Sequence, residues 1–201
     1  MRRLLLYFVL FLLPLTLGAQ QKDSEKLGMA LDYFQSGKYQ EALNILQKLN
    51  EHYDLNPRFK AYMGVCYYYK WDYKNACRYL DETLPKLDIY APHEQAVYYY
   101  ADAESHFNQA QYGEAVPLYE KFITVCYNNE KGDAFFKIGL CYTFRAQWQD
   151  ACESLQSAQS YYQQFSNTPA NKARIEQIRK MINGCQEKLK SIEPTDSTHI
   201  G

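Results

Sequence analysis

The sequence predicts an all-α fold in which helix-turn-helix units stack into a solenoid and a final helix covers the end of the stack. Three observations predict this fold. Four short phrases recur along the chain, apolar residues between them follow helical spacing, and one amphipathic segment follows the fourth phrase. A single helix pair of this kind cannot bury its own apolar face, so neighbouring pairs must stack on one another.

The recurring phrase has an aromatic residue three places before an alanine. Its four copies are GKYQEA at 37–42, WDYKNA at 71–76, AQYGEA at 110–115 and AQWQDA at 146–151. The alanines lie 34, 39 and 36 residues apart (42 to 76, 76 to 115 and 115 to 151). A period in this range indicates an array of helical repeats.

Three further positions repeat with the phrase. A small residue stands twelve places before each alanine, and it lets two antiparallel helices approach closely: Ala30, Gly64, Ala103 and Gly139. Nine places before the alanine come Tyr33, Tyr67, His106 and Tyr142, and four places after it come Leu46, Leu80, Tyr119 and Leu155. With these positions the chain resembles the tetratricopeptide-repeat family. The resemblance implies a right-handed superhelical solenoid over residues 20–165, with four units at about 23–56, 57–91, 94–130 and 132–165.

A capping helix is predicted after the fourth unit, over residues 168–191. Thr168 and Pro169 are suited to the N-cap and the first turn of a helix. An apolar stripe follows at helical spacing: Ile175, Ile178, Met181, Ile182, Cys185 and Leu189. One such stripe fits a helix that covers the last repeat with one face and meets water with the other. Residues 192–201 are rich in Thr, Ser and Asp and are predicted to be a disordered tail.

The first 19 residues have the layout of a secretory signal peptide. A basic pair at 2–3 precedes an apolar stretch over 4–17, and small residues at 18–19 precede polar ones. A membrane-spanning helix needs roughly 20 apolar residues, and this stretch is shorter and contains Pro14. We therefore expect cleavage after Ala19 and export to the periplasm or another part of the bacterial cell envelope. Retention of the segment as an anchor is the alternative.

The charge of the chain gives no indication of nucleic-acid binding. The formal net charge is −1, and removal of residues 1–19 takes away Arg2 and Arg3 and leaves −3. A nucleic-acid-binding domain needs a basic patch or stripe, whereas the charges here are of both signs and scattered. We expect no nucleic-acid partner and no membrane insertion of the mature chain.

Catalytic and cofactor patterns are absent from the sequence. It contains no P-loop, no glycine-rich dinucleotide phrase, no Gly-x-Ser-x-Gly and no His-Glu-x-x-His. The 4 histidines are far apart, with no pair at helical metal-ligand spacing. We therefore expect a protein that is not an enzyme and that has no cofactor and no metal site.

Six cysteines include two pairs with equal spacing. Eleven residues separate the members of each pair, Cys66 with Cys77 and Cys141 with Cys152. Each pair occupies the same two repeat positions, one on each helix and about equally far from the turn. Bridges are therefore sterically feasible in an oxidising compartment, and the alternative is that the cysteines serve as small buried hydrophobes. Cys126 and Cys185 lack a symmetric partner and are expected to be unpaired.

The resemblance also implies a function. Tetratricopeptide proteins present the first helix of each unit to a concave groove that holds a peptide or a helix of a partner. The resemblance places Val65 and Glu104 on this face, together with seven large aromatic residues as the predicted binding groove: Phe34, Tyr68, Tyr69, Tyr100, Phe107, Phe136 and Phe144. Since tyrosine is also common in repeat cores, part of this set is expected to pack inside.

We therefore expect a non-enzymatic scaffold or adaptor of the bacterial cell envelope. Its groove is aromatic and weakly charged, so it favours a hydrophobic or aromatic-anchored peptide, or a helix of the partner, over an acidic tail. Two alternatives remain. One is a self-associating structural protein whose aromatic surface is buried in a homo-oligomer, and the other is an accessory subunit of an envelope enzyme or secretion complex.

Overall fold

The computed structural model describes residues 22–165 and 168–192, and these residues are helical throughout apart from turns and linkers. The helices are α1 (22–35), α2 (Tyr39–His52), α3 (Pro57–Tyr69), α4 (Tyr73–Thr83), α5 (Pro92–Asn108), α6 (Tyr112–Val125), α7 (Lys131–Phe144), α8 (Trp148–Phe165) and α9 (Pro169–Ile192). A 3-10 turn at Leu84–Lys86 follows α4. No strand occurs within the described ranges, which confirms the all-α prediction. None of these helices has both the length and the apolar character needed to span a bilayer.

The described residues fall into two compact units, the first ending at Thr83 and the second beginning at Leu84. The first unit contains α1 to α4, in which α2 packs on α3 and α3 on α4. In the second unit each helix from α5 to α9 packs on the next one along the chain. The sequence predicted one continuous stack, and the division falls at the 84–91 linker. The predicted signal peptide at 1–19 and the tail from residue 193 lie outside the described residues.

All four helix pairs turn through the same backbone geometry. The residue five places before each repeat alanine has a positive φ: Gly37 (71°), Trp71 (61°), Ala110 (59°) and Ala146 (55°). The N–H of the next residue donates to the carbonyl five positions back, as Lys38 does to Tyr33 at 2.8 Å and Gln147 does to Tyr142 at 2.9 Å. This is the hydrogen bond of a Schellman turn, which usually has glycine at the left-handed position. Only the first of the four turns has one.

The repeat positions form the core of the helix pairs. The four phrase alanines are 0% exposed, and so are the residues four places after them: Leu46, Leu80, Tyr119 and Leu155. In the second unit these residues belong to two clusters. One joins α5, α6 and α7, and the other joins α7, α8 and α9. The small residues and large apolar residues predicted from the spacing therefore meet where the helices cross.

Helix α9 ends the second unit and confirms the predicted capping helix. Thr168 Oγ1 accepts a hydrogen bond from the backbone N–H of Asn171 at 3.2 Å, as expected of an N-cap. Ile178, Ile182 and Cys185 are buried in the cluster that α8 shares with α9. The helix extends to Ile192, one residue beyond the prediction.

None of the six cysteines, all within the described residues, is in a disulfide in this structure, which favours the small-hydrophobe alternative over bridges at Cys66–Cys77 and Cys141–Cys152. The second pair shows the reason. Cys141 lies in the core between α5, α6 and α7, whereas Cys152 lies in the core that α9 covers, so the two thiols are on opposite sides of their helix pair. Burial raises the pKa of both Cys66 and Cys141 to about 12, so these thiols are neutral near pH 7.

Candidate functional site

Four rings of the first unit form what we call the first aromatic cluster: Phe34, Tyr39, Tyr62 and Tyr69. Tyr39 and Tyr69 stack almost parallel, with ring centroids 4.0 Å apart and planes inclined by 2°. Phe34 meets the edge of Tyr39 at 5.8 Å and packs on Tyr62 at 4.6 Å. The cluster thereby joins α1, α2 and α3. Its outer ring, Tyr69, is 50% exposed.

Three rings of the second unit form the second aromatic cluster: Phe107, Tyr112 and Phe144. Tyr112 and Phe144 stack with centroids 4.8 Å apart and planes inclined by 20°. Phe107 meets Tyr112 at 5.5 Å and 67°, and it lies 6.3 Å from Phe144. This cluster joins α5, α6 and α7. Its outer ring, Phe144, is 58% exposed.

The two clusters use the same repeat positions. Phe34 and Phe107 stand eight places before a repeat alanine, and Tyr39 and Tyr112 stand three places before it. The outer rings, Tyr69 and Phe144, stand seven places before the alanine of the following pair. In each unit the middle ring stacks on the outer ring and meets the inner ring edge to face. The repeat therefore builds one aromatic arrangement twice, once in each unit.

A buried ion pair lies beside the second cluster. Lys137 Nζ is 2.8 Å from Glu104 Oε2 and 4.3 Å from the centroid of the Phe107 ring, within cation–π range. The other Glu104 oxygen accepts a hydrogen bond from the Tyr119 hydroxyl at 2.5 Å. Glu104, placed in the groove by the sequence analysis, is instead 7% exposed, and Lys137 balances its charge. Burial, with Glu104 alongside, raises the pKa of Tyr119, which keeps its donating proton in place.

The hydroxyl of Tyr39 is a partly buried titratable group of the first cluster. Burial, together with its hydrogen bond with Tyr69, raises the pKa of Tyr39 to about 12. This hydroxyl is therefore uncharged at neutral pH. The surface of the stacked pair can make apolar contacts and hydroxyl hydrogen bonds with a partner, without a charge on Tyr39 to desolvate.

The structure brings four of the seven predicted groove residues into the clusters: Phe34, Tyr69, Phe107 and Phe144. Tyr68 borders the first cluster, with its ring 5.0 Å from that of Tyr69. Tyr100 is half-buried and packs on Phe122 at 5.3 Å, within the core of the second unit.

Phe136 and Val65 do not lie on an accessible surface. Phe136 is 5% exposed because it belongs to the core that α9 covers, and the Arg174 guanidinium lies 4.5 Å from its ring. Val65 is fully buried. The clusters also contain residues that the sequence analysis missed, namely Tyr39, Tyr62 and Tyr112. The signal for Tyr39 and Tyr112 was the aromatic position of the recurring phrase, to which we assigned no role.

The turns, the paired helices and the capping helix define a helical-repeat protein with the tetratricopeptide fold. Residues 133–164, in α7 and α8, match the family model described as tetratricopeptide repeat. The fold predicted from the repeat spacing is thus confirmed. A search of curated proteins found no match.

Solved structures agree on the fold. MamA from Desulfovibrio magneticus RS-1 (residues 41 to the end) is 20% identical with a TM-score of 0.55, covering 86% of this chain and 97% of that one. The apo form of RapI is 14% identical with a TM-score of 0.60, covering 85% and 65%. The TPR-like repeats of a putative kinesin light chain from Podospora anserina are 16% identical with a TM-score of 0.56, covering 84% and 91%. These matches indicate no enzyme family.

Proposed function

We propose that this chain is a non-enzymatic scaffold or adaptor that binds protein through an aromatic cluster in each of its two units. The observation that carries the proposal is the repeated arrangement itself. The same three repeat positions supply stacked rings in both units, and each time the outer ring is half exposed. Large exposed aromatic side chains are the residue types that dominate binding energy at protein interfaces.

The fold does not need aromatic residues at the outer position. The corresponding positions of the first and third helix pairs, seven places before the repeat alanine, hold Gln35 and Asn108, and both are exposed. The inner position of the fourth pair, equivalent to Phe107, holds Thr143. Since the same turn forms with polar residues there, the rings of Tyr69 and Phe144 are available for contacts with another molecule.

The chemistry of the clusters favours an apolar or aromatic side chain of the partner. The charge of Lys137 beside the second cluster is taken up by Glu104, and the Tyr39 hydroxyl of the first cluster is neutral. A hydrophobic anchor of a peptide or of a partner helix can therefore pack on the exposed ring faces without burying an unpaired charge. The likeness to the tetratricopeptide family, whose members hold peptides or helices, supports the same partner class.

The proposed location is the bacterial cell envelope. It depends on the basic, apolar and small-residue pattern of residues 1–19, which lie outside the described residues. N-terminal sequencing of the mature protein tests it. We expect a chain that begins at or near Gln20, and a membrane-bound chain that retains Met1 would contradict export with cleavage.

Site-specific photo-crosslinking in the native cell tests the binding proposal. A photoreactive phenylalanine analogue replaces Tyr69 in one strain and Phe144 in another, and control strains have it at the exposed α8 and α9 positions Gln149 and Glu187. We expect the cluster positions to crosslink to a protein partner that the control positions do not reach. Equal crosslinking from all four positions would contradict the proposal, and crosslinks only to a second copy of this chain would favour self-association.

A further inference from the structure

Trp71 is an exposed aromatic residue in a backbone conformation that disfavours it. It lies in the turn between α3 and α4, where its side chain is 79% exposed and its φ is 61°. A bulky residue with a positive φ is uncommon because the left-handed region crowds Cβ against the backbone. The three equivalent turns hold Gly37, Ala110 and Ala146. The turn therefore forms without an indole, and the exposed ring adds nothing to the core.

Trp71 follows the junction at which the first aromatic cluster joins the start of α2 to the end of α3, and we call this junction and the turn after it the Trp71 edge. The Tyr39–Tyr69 stack holds the start of α2 against the end of α3, at 4.0 Å between centroids. Lys70 Nζ donates to Gln40 Oε1 across the same junction. Lys38 precedes Tyr39, and Lys70 lies between Tyr69 and Trp71. Two lysines thus lie on the edge that presents the indole.

Within the described residues, neither of the two lysines of this edge, Lys38 and Lys70, forms an ion pair with an acidic side chain. Lys38 Nζ lies 5.6 Å from the centroid of the Tyr33 ring, a contact that leaves its charge in place. The neighbouring carboxylate of Asp72 caps α4, where it accepts hydrogen bonds from Asn75 N at 3.2 Å and Nδ2 at 2.7 Å. The edge therefore combines an exposed indole with ammonium groups whose charge is available to another molecule.

We propose that Trp71 anchors a protein segment in which an apolar side chain is flanked by carboxylates. The apolar side chain packs on the indole, and the carboxylates pair with Lys38 and Lys70. The inference rests on the proposed function of the first cluster and extends it to the chemistry of the partner. Trp is enriched at the centres of interfaces, and opposite charge at the rim increases the association rate and selectivity.

An anionic lipid surface has some of the same chemistry, but the observations favour a protein segment. Stable peripheral membrane binding usually takes a broad apolar helix face or two separate anchors. Here a single indole protrudes, next to stacked rings that offer a flat contact surface. Vesicles therefore serve as a second arm of the test.

The test uses the intrinsic fluorescence of Trp71. The chain has 2 tryptophans, so the Trp148→Phe variant reports on Trp71 alone. Random linear peptides displayed on phage are selected against this variant, and the enriched sequences are synthesised. We expect them to combine Asp or Glu with a large apolar residue, to shift the Trp71 emission on binding and to bind more weakly at high salt.

Matched variants show which side chains contribute to peptide binding. Trp71→Ala places in this turn the residue type that forms the equivalent turns at Ala110 and Ala146, so we expect unchanged helicity. The peptide affinity is expected to fall by about tenfold or more. Lys38→Gln with Lys70→Gln weakens binding and reduces its salt dependence. Lys121→Gln, at an exposed position on α6, serves as the control and leaves both unchanged.

Three results would overturn the inference. The first is a peptide affinity that Trp71→Ala leaves unchanged. If binding of the peptides then still depends on Tyr69, this inference fails and the proposed function stands. The second is a selection that enriches no peptide or only peptides without acidic residues. The third is an emission shift with phosphatidylcholine–phosphatidylglycerol vesicles but with no peptide, which assigns the edge to a lipid surface. Peptides that depend on neither Tyr69 nor Trp71 contradict both proposals.

Discussion

Gly139 on α7 lies directly against Leu155 on α8, and a Cβ placed on this glycine would be 2.8 Å from the leucine Cγ. Gly64 on α3 has the same relationship with Leu80 on α4, at 2.6 Å. Carbon atoms in contact are ordinarily about 3.5 to 4.0 Å apart. Within the second helix pair, and likewise within the fourth, the two helices therefore approach at a distance that only glycine allows.

A single methyl group at this contact is expected to destabilise the second unit. Gly139→Ala forces Leu155 out of its packed position, and overpacking of this kind costs about 1 to 3 kcal/mol. The matched control is Gly184→Ala on α9, where an added Cβ meets nothing within 4 Å. There we expect the free energy of unfolding to rise by roughly 0.5 to 1 kcal/mol, because alanine is a better helix former than glycine. Urea unfolding followed by circular dichroism measures both, and equal effects would contradict the close-approach account.

The left-handed turns predict a pair of opposite effects. Ala146→Gly relieves the strain of a φ of 55° and is expected to raise the free energy of unfolding by roughly 0.5 to 1 kcal/mol, after the entropic cost of glycine. Gly37→Ala introduces the same strain and is expected to lower it by a similar amount. Thermal unfolding of the two variants checks the signs. A stabilising Gly37→Ala would show that the turn geometry differs from the one described.

The ion pair of Glu104 and Lys137 predicts that a second substitution restores most of the stability that the first one removes. Lys137→Met leaves the 7% exposed carboxylate without its cation and is expected to cost roughly 1 to 3 kcal/mol, less than for a fully buried pair because Lys137 is partly exposed. Glu104→Gln combined with Lys137→Met removes both charges, keeps an acceptor for the Tyr119 hydroxyl and is expected to recover most of this loss. A double-mutant cycle from urea unfolding measures the coupling. Additive effects would contradict a direct pair.

The buried thiols predict a loss of stability at alkaline pH. Burial raises the pKa of Cys66 and of Cys141 from 9.0 to about 12 in the folded chain. The unfolded chain therefore releases these protons first, and the free energy of unfolding falls as the pH rises from about 9 towards 12. Urea midpoints across this range test the slope, and the Cys66→Ala, Cys141→Ala variant should reduce it. If the slope of this variant is the same as that of the unmodified chain, groups other than these two thiols cause the pH dependence.

The parts of the fold that depend on local spacing were predictable from the sequence. The phrase alanines, the turn after each first helix and the N-cap at Thr168 follow from residue types a few positions apart. The division of the chain at Thr83 depends on contacts between helices, which spacing does not reveal.

The candidate site was predicted only in part, because exposure is decided by distant residues. Phe136 has the spacing of a groove residue, but α9 covers it. Glu104 is balanced by Lys137, which is 33 residues further along the chain. The stacking of Tyr39 on Tyr69 and of Tyr112 on Phe144 joins successive helix pairs. Such stacking needs the packed helices and not the repeat phrase alone.

The most direct test of the account compares two exposed aromatic residues of the second unit, one inside an aromatic cluster and one outside it. Phe144 is 58% exposed in the second cluster, and Tyr127 is 56% exposed in the linker between α6 and α7. The measurement is the dissociation constant for the partner identified by crosslinking, with the thermal unfolding midpoint recorded alongside. We expect Phe144→Ala to weaken binding by about tenfold or more with a nearly unchanged midpoint, and Tyr127→Ala to leave both as they are. Equal affinities for the two variants would contradict the claim that the aromatic clusters hold the partner.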